Sequence, residues 1–146
     1  MFSRLYTKIV SSVLFPLHEK MKKHQTVSIK RALERSQWYS QEELAKLQLE
    51  RLRKFLSKIG NNVPYYKLLF EENGFETAQL TSVAQLSELP FLSKAVIREN
   101  FEQLKAGNGG EVKPFTTGGS SGTPLTFLLS NERVSHDVAE KWRATR

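Results

Sequence analysis

Between Phe115 and Phe127 the chain reads FTTGGSSGTPLTF, with three glycines and hydroxyl side chains at Thr116, Thr117, Ser120, Ser121 and Thr123. Glycine allows a bulky anion to come close to the backbone and tolerates positive φ. Successive amides in such a loop can converge into an anion-binding hollow, to which the hydroxyls add donors. This is chemistry suited to phosphate oxygens. The loop is not G-x-x-x-x-G-K-[ST], because no lysine lies between Lys113 and Lys141. Nor does it open a helix as G-x-G-x-x-G does, because Pro124 and the strand-like LTFLL follow it. Gly and Ser also dominate ordinary turns, so spacing alone leaves a plain hairpin loop open beside the phosphate reading.

Other residue types offer less. The chain contains no cysteine, which removes disulfide and thiolate chemistry and fits a reducing, cytoplasmic compartment. His18, His24 and His136 show no metal-ligand spacing and read as surface residues. Asp137 and Glu140 read as a solvated helix face. Trp38, Tyr39, Tyr65 and Tyr66 are expected to pack. No catalytic residue and no metal ligand is therefore assigned within this chain.

The elements that must hold the loop follow from charge and periodicity. The 146 residues carry a net charge of +7 with 39% hydrophobic residues, a soluble globular balance. Residues 1–60 hold 13 Lys/Arg against 5 Asp/Glu, and residues 61–146 hold 9 against 10, so the basic character is N-terminal. No aromatic-interleaved basic stripe or nucleic-acid motif accompanies it, so nucleic acid is not an expected partner. Phe2, Leu5, Tyr6, Ile9, Val10, Val13, Leu14 and Leu17 recur at helical spacing as an apolar stripe. The stripe could cover the protein's own core, or lie in the plane of an anionic membrane surface helped by Lys20, Lys22, Lys23, Lys30 and Arg31. Pro16 is expected to end or kink this helix.

Further on, Ser40 and Glu43 fit a capping box ahead of an apolar face of Leu44, Leu47, Leu52, Phe55, Leu56 and Ile59. Gly60 is placed as that helix's left-handed stop. Pro64 starts a short helix closed by Gly74, Ser82 caps a turn or two through Leu89, and Ser93 caps a helix from Lys94 to about Leu104. EVKPFTT and PLTFLLS read as strands either side of the glycine loop. Asn131 opens a last helix with Val134, Val138 and Trp142 on one face. The expected fold is α+β: a helical region over about 1–105, a β-hairpin carrying the Gly/Ser/Thr-rich loop, and a C-terminal helix. The expected segments are a basic amphipathic stretch (1–31), a helical region (32–106), and a third segment (107–146) with the loop at 116–125.

TGGSSGTPL, Thr117 to Leu125, resembles the phosphate-binding loop of the adenylate-forming (acyl-CoA synthetase-like) superfamily, usually T-S-G-[ST]-T-G-x-P. Thr117, Gly119, Ser120, Gly122 and Pro124 match. Gly118 stands where serine is usual, Ser121 where threonine is usual, and Thr123 in the variable place often taken by lysine. ERSQWYSQEELAKLQLERLRKFL, NVPYYKLLFEENGF and LSELPFLSKAVIRENFEQL resemble the N-terminal region of phenylacetate–CoA ligase-like proteins, above all the capsular polysaccharide biosynthesis (CapK-like) branch. There too a helical region leads into the loop.

The resemblance implies an incomplete N-terminal part of an adenylate-forming α/β domain. Such enzymes join a carboxylate to ATP as an acyl-adenylate, with Mg²⁺, and often pass the acyl group to coenzyme A or another acceptor. It implies Thr117, Ser120, Ser121 and Thr123 as phosphate contacts, with Gly118, Gly119 and Gly122 supplying backbone. The family's adenine and magnesium motifs and its catalytic lysine follow this loop, so the chain is expected to be an N-terminal fragment, inactive alone. The alternative from another class is a non-catalytic basic helical adaptor, or a peripheral membrane protein, whose loop is only a hairpin.

Overall fold

The computed structural model describes residues 2–22, 24–107, 110, 112–118 and 123–145. The chain forms two compact units. One comprises Met1–Trp38, Glu111–Phe115 and Phe127–Arg146; the other comprises Tyr39–Gly110 and Thr116–Thr126. The elements confirm the α+β reading: helices α1 (Phe2–Ile9), α2 (Phe15–Met21), α3 (Thr26–Ser36), α4 (Gln41–Asn62), α5 (Pro64–Glu72) and α6 (Lys94–Glu99) precede strands β1 (Val112–Thr116) and β2 (Thr126–Ser130) and helix α7 (Asn131–Ala144). The two strands pair as a hairpin.

In the first unit α1 and α2 form one helical rod, joined by a π-helical segment at Val10–Leu14. Pro16 therefore does not end the helix. It sits in the first turn of α2, where its missing amide costs little. Just ahead of it the Phe15 amide reaches back five residues to the Val10 carbonyl, a wider turn than the α-helical one.

Helices α3 and α7 pack together in the same unit. Thr26, Ser135 and Ala139 have no exposed surface, and such small side chains allow close helix approach. The Gln25 amide donates to Ser135 Oγ at 3.1 Å. The fully buried residues of α7 are Ser135 and Ala139; in the row Val134–Val138–Trp142, Val134 and Trp142 are half-buried and Val138 is exposed. Lys30, also buried, pairs with Glu34 and lies 4.9 Å over the Trp142 ring. A guanidinium or ammonium over an aromatic face is one of the few ways to bury such a charge.

The second unit holds the larger apolar core. Leu56, Phe70 and Leu80 are buried, with Leu49, Leu52, Ile59, Tyr66, Phe75, Leu86 and Leu89 packed around them. Fully burying a side chain such as Leu80 is worth about 1.5–3 kcal/mol. The capping box starts α4 as expected: the Ser40 amide donates to Glu43 Oε2 at 2.7 Å, and the Glu43 amide to Ser40 Oγ at 3.2 Å. Those bonds to Ser40 hold the Glu43 carboxyl below its ordinary value.

Two expectations about α4 fail. Leu44 and Phe55 are exposed, and Leu49 joins the core instead. Gly60 does not stop the helix, which runs on to Asn62. A Cβ at residue 60 would lie 2.9 Å from Phe70 Cδ2, so glycine is there to admit a ring rather than to turn the chain. The left-handed stop is Gly74, at φ 59°, closing α5 as its position suggested.

Helix α6 ends at Glu99 and gives way to turns, shorter than the expected run to Leu104. Trp38 is 82% exposed and Tyr39 is also exposed, so neither packs. Tyr65 and Tyr66 are half-buried in edge-to-face contact at 5.5 Å, and burial pushes the Tyr66 phenol up.

Candidate functional site

The hairpin is sparsely buried. All five residues of β1 are exposed, and β2 is half-buried only over Leu128–Ser130. Phe115 and Phe127 stack across the strands at 6.4 Å. Beyond the strands two bonds pinch the loop: the Thr117 amide donates to the Leu125 carbonyl at 3.0 Å, and the Leu125 amide donates to Thr117 Oγ1 at 2.9 Å. These two bonds make a narrow neck at Thr117 and Leu125.

Of the seven residues singled out from sequence, Thr117, Gly118 and Thr123 are described, all exposed. Gly119, Ser120, Ser121 and Gly122 lie outside the described residues. The Thr117 hydroxyl accepts the neck bond and keeps its own proton to donate elsewhere. Gly118 has no left-handed φ, and a Cβ there would meet nothing within 4 Å. Its place is open, so the serine usual in the resembling loop would fit without rearrangement.

A residue that sequence reasoning passed over stands beside the loop. Arg98, in the last turn of α6, donates from Nη2 to the Thr123 carbonyl at 2.6 Å. Ser93 starts that helix by accepting from the Val96 amide at 3.2 Å, which fixes where Arg98 emerges. The segment between α6 and the hairpin is itself stitched down. The Tyr65 amide donates to the Gln103 carbonyl at 3.1 Å, and the Gly107 amide to the Asn62 carbonyl at 2.9 Å. The signal available in the sequence was indirect: a loop for anions without a lysine of its own needs a cation brought from another element.

The assembled group offers donors and one permanent positive charge, and residues 115–127 contain no Asp or Glu. It suits phosphate oxygens and offers a magnesium ion no carboxylate. The histidines are placed otherwise: His24 Nδ1 lies 3.2 Å from Glu19 Oε1, His18 is exposed, and His136 is partly exposed. Among the described residues no cluster of His, Asp and Glu could hold a metal ion.

No family model matches the chain. It is 40% identical over 62 residues, 42% of its length, to the phenylacetate-coenzyme A ligase of Aromatoleum evansii. It is 25% identical over 138 residues, 94% of its length, to Protein CapK of Staphylococcus aureus. The aligned regions cover only 14% and 29% of those two relatives, respectively. The chain is thus similar to part of each, and the similarity points to a related ligase family.

Proposed function

We propose that this chain is the N-terminal, phosphate-gripping part of an ATP-dependent ligase that joins a carboxylate to AMP and then transfers the acyl group to coenzyme A or another acceptor. The observation that carries the reading is the pinched loop. Thr117 and Leu125 close its neck, and residues 117–124 match five positions of the adenylate-forming motif. The Thr117 hydroxyl proton, the Thr123 hydroxyl and the loop amides would hold the β- and γ-phosphates. Gly118, Gly119, Ser120, Ser121 and Gly122 complete that lining. Fixed donors at the departing pyrophosphate favour the transition state, because its charge grows there during attack on the α-phosphate. Magnesium would supply further neutralisation of the phosphates when bound, through ligands other than this loop's side chains.

The carboxylate is the substrate class expected from the phenylacetate-coenzyme A ligase similarity, and a place in capsule polysaccharide synthesis is what the sequence resemblance to the capsular branch implies. Both are assigned to the full-length enzyme. The 146 residues by themselves are expected to make no acyl-hydroxamate from ATP, an acid and hydroxylamine.

Loop exchange tests the reading. Residues 116–125 of this chain replace the corresponding loop of the Aromatoleum ligase, and acid-dependent ATP–pyrophosphate exchange is measured. Exchange should persist in the graft and fall at least a hundredfold with Gly119→Val, while circular dichroism stays unchanged. A folded graft without exchange, or one indifferent to Gly119→Val, would leave the loop a mere hairpin.

A further inference from the structure

The N-terminal rod carries its apolar stripe on the outside. Leu5, Tyr6, Ile9, Val13, Leu14, Leu17 and Met21 are between 48% and 77% exposed. Along α2 the opposite side is the docked one. Phe15 meets Trp142 edge-to-face at 5.1 Å, and Glu19 is buried, with Oε2 accepting from the Thr26 amide at 3.2 Å and Oε1 facing His24. With Glu19 held from two sides, the rod cannot roll to hide its stripe within this unit.

Geometry keeps the stripe straight. Leu5, Ile9, Val13, Leu17 and Met21 are spaced by four, and in an uninterrupted α-helix each step of four overshoots a turn by about 40°. Over the whole row that drift would wind the stripe halfway round the rod. The π segment at Val10–Leu14 takes more residues per turn and sets the row back, so Val13, Leu17 and Met21 face outward with Leu5 and Ile9.

We infer that this rod lies in the plane of an anionic membrane surface, its stripe immersed and its cations at the headgroups. Charge selects that occupant over a second copy of the chain. Residues 1–31 contain seven Lys/Arg and a single acidic residue, Glu19, which is the buried one. Lys20, Lys22 and Arg31 are exposed beside or just beyond the stripe. A self-interface would bring these cations together, whereas anionic lipid neutralises them. A moment this one-sided on a segment too polar to cross marks an in-plane helix, and no helix among the described residues is long and apolar enough to span a bilayer. The inference is independent of the ligase reading.

The full chain is spun with vesicles of phosphatidylcholine alone and of phosphatidylcholine with phosphatidylglycerol. Binding should require phosphatidylglycerol and weaken steeply with salt. It should fall at least tenfold in Ile9→Asp/Val13→Asp, and also in Lys20→Glu/Lys22→Glu. The substituted stripe residues are exposed, so the thermal transition should not move. Three results would each overturn the inference: equal sedimentation with both vesicle types, binding that survives Ile9→Asp/Val13→Asp, or a salt-stable dimer on size exclusion abolished by that same pair.

Discussion

The helical core of the second unit and the hairpin that ends in the loop are built on opposite terms. Around Leu56, Phe70 and Leu80 pack seven partly buried apolar side chains, and even a glycine is chosen to admit a ring. In the hairpin, β1 is exposed throughout, and beyond the strands two bonds join Thr117 to Leu125 and one arginine holds Thr123. Stability resides in the first region, while the donors suited to an anion are left on the second. The proposed phosphate role would require amides left unsatisfied and accessible, which core packing would forbid.

The contrast is broken most severely from the core side. Phe70→Ala should cost about 3–5 kcal/mol of unfolding free energy in urea titrations, since it leaves a cavity amid Tyr66, Phe75 and Gly60. Gly60→Ala is a finer probe. Alanine gains about 1 kcal/mol of helix propensity, but overpacking against the Phe70 ring costs about 1–3 kcal/mol. Net destabilisation is expected in the wild-type chain and net stabilisation in a Phe70→Leu background.

The capping box tests the same helix through pH. Because Glu43 has a depressed carboxyl, its contribution is complete above the ordinary value of 4.5 and is lost as pH falls below that through the folded value. Glu43→Gln should flatten the acid limb of a stability–pH curve, whereas Ser40→Ala should lower the whole curve by about 1 kcal/mol.

Arg98→Ala should move global stability least, within about 0.5 kcal/mol, because the residue is exposed. Its effect is local: amide exchange at Thr117 and Leu125 should quicken severalfold while exchange at Leu56 and Phe70 stays unchanged. Uniform acceleration would mean that Arg98 supports the fold rather than the loop.

Much of this was legible in the residues. Capping box, helix-starting Pro64, left-handed Gly74 and both strands follow from local chemistry, and local chemistry decided them. What escaped depends on neighbours distant in sequence. Gly60 looks like a stop until Phe70 is seen against it, and Ser135 and Ala139 look polar and small until α3 packs on them. Phe55 and Leu44 satisfy the helical period yet stay exposed on α4. Arg98 could not be tied to Thr123, 25 residues on, without the fold. The N-terminal stripe was visible, but its outward direction was set by Glu19 and Phe15 on the other face.

The most direct test of the central claim is amide NMR of the ¹⁵N-labelled chain titrated with ATP and with inorganic tripolyphosphate. Binding is expected to be weak, in the millimolar range or about −4 kcal/mol. Shifts should concentrate at Thr117, Gly118, Thr123 and the intervening amides, and vanish in Gly119→Val. Shifts confined to the basic residues 1–31, or a titration indifferent to Gly119→Val, would contradict the phosphate-binding assignment of the loop.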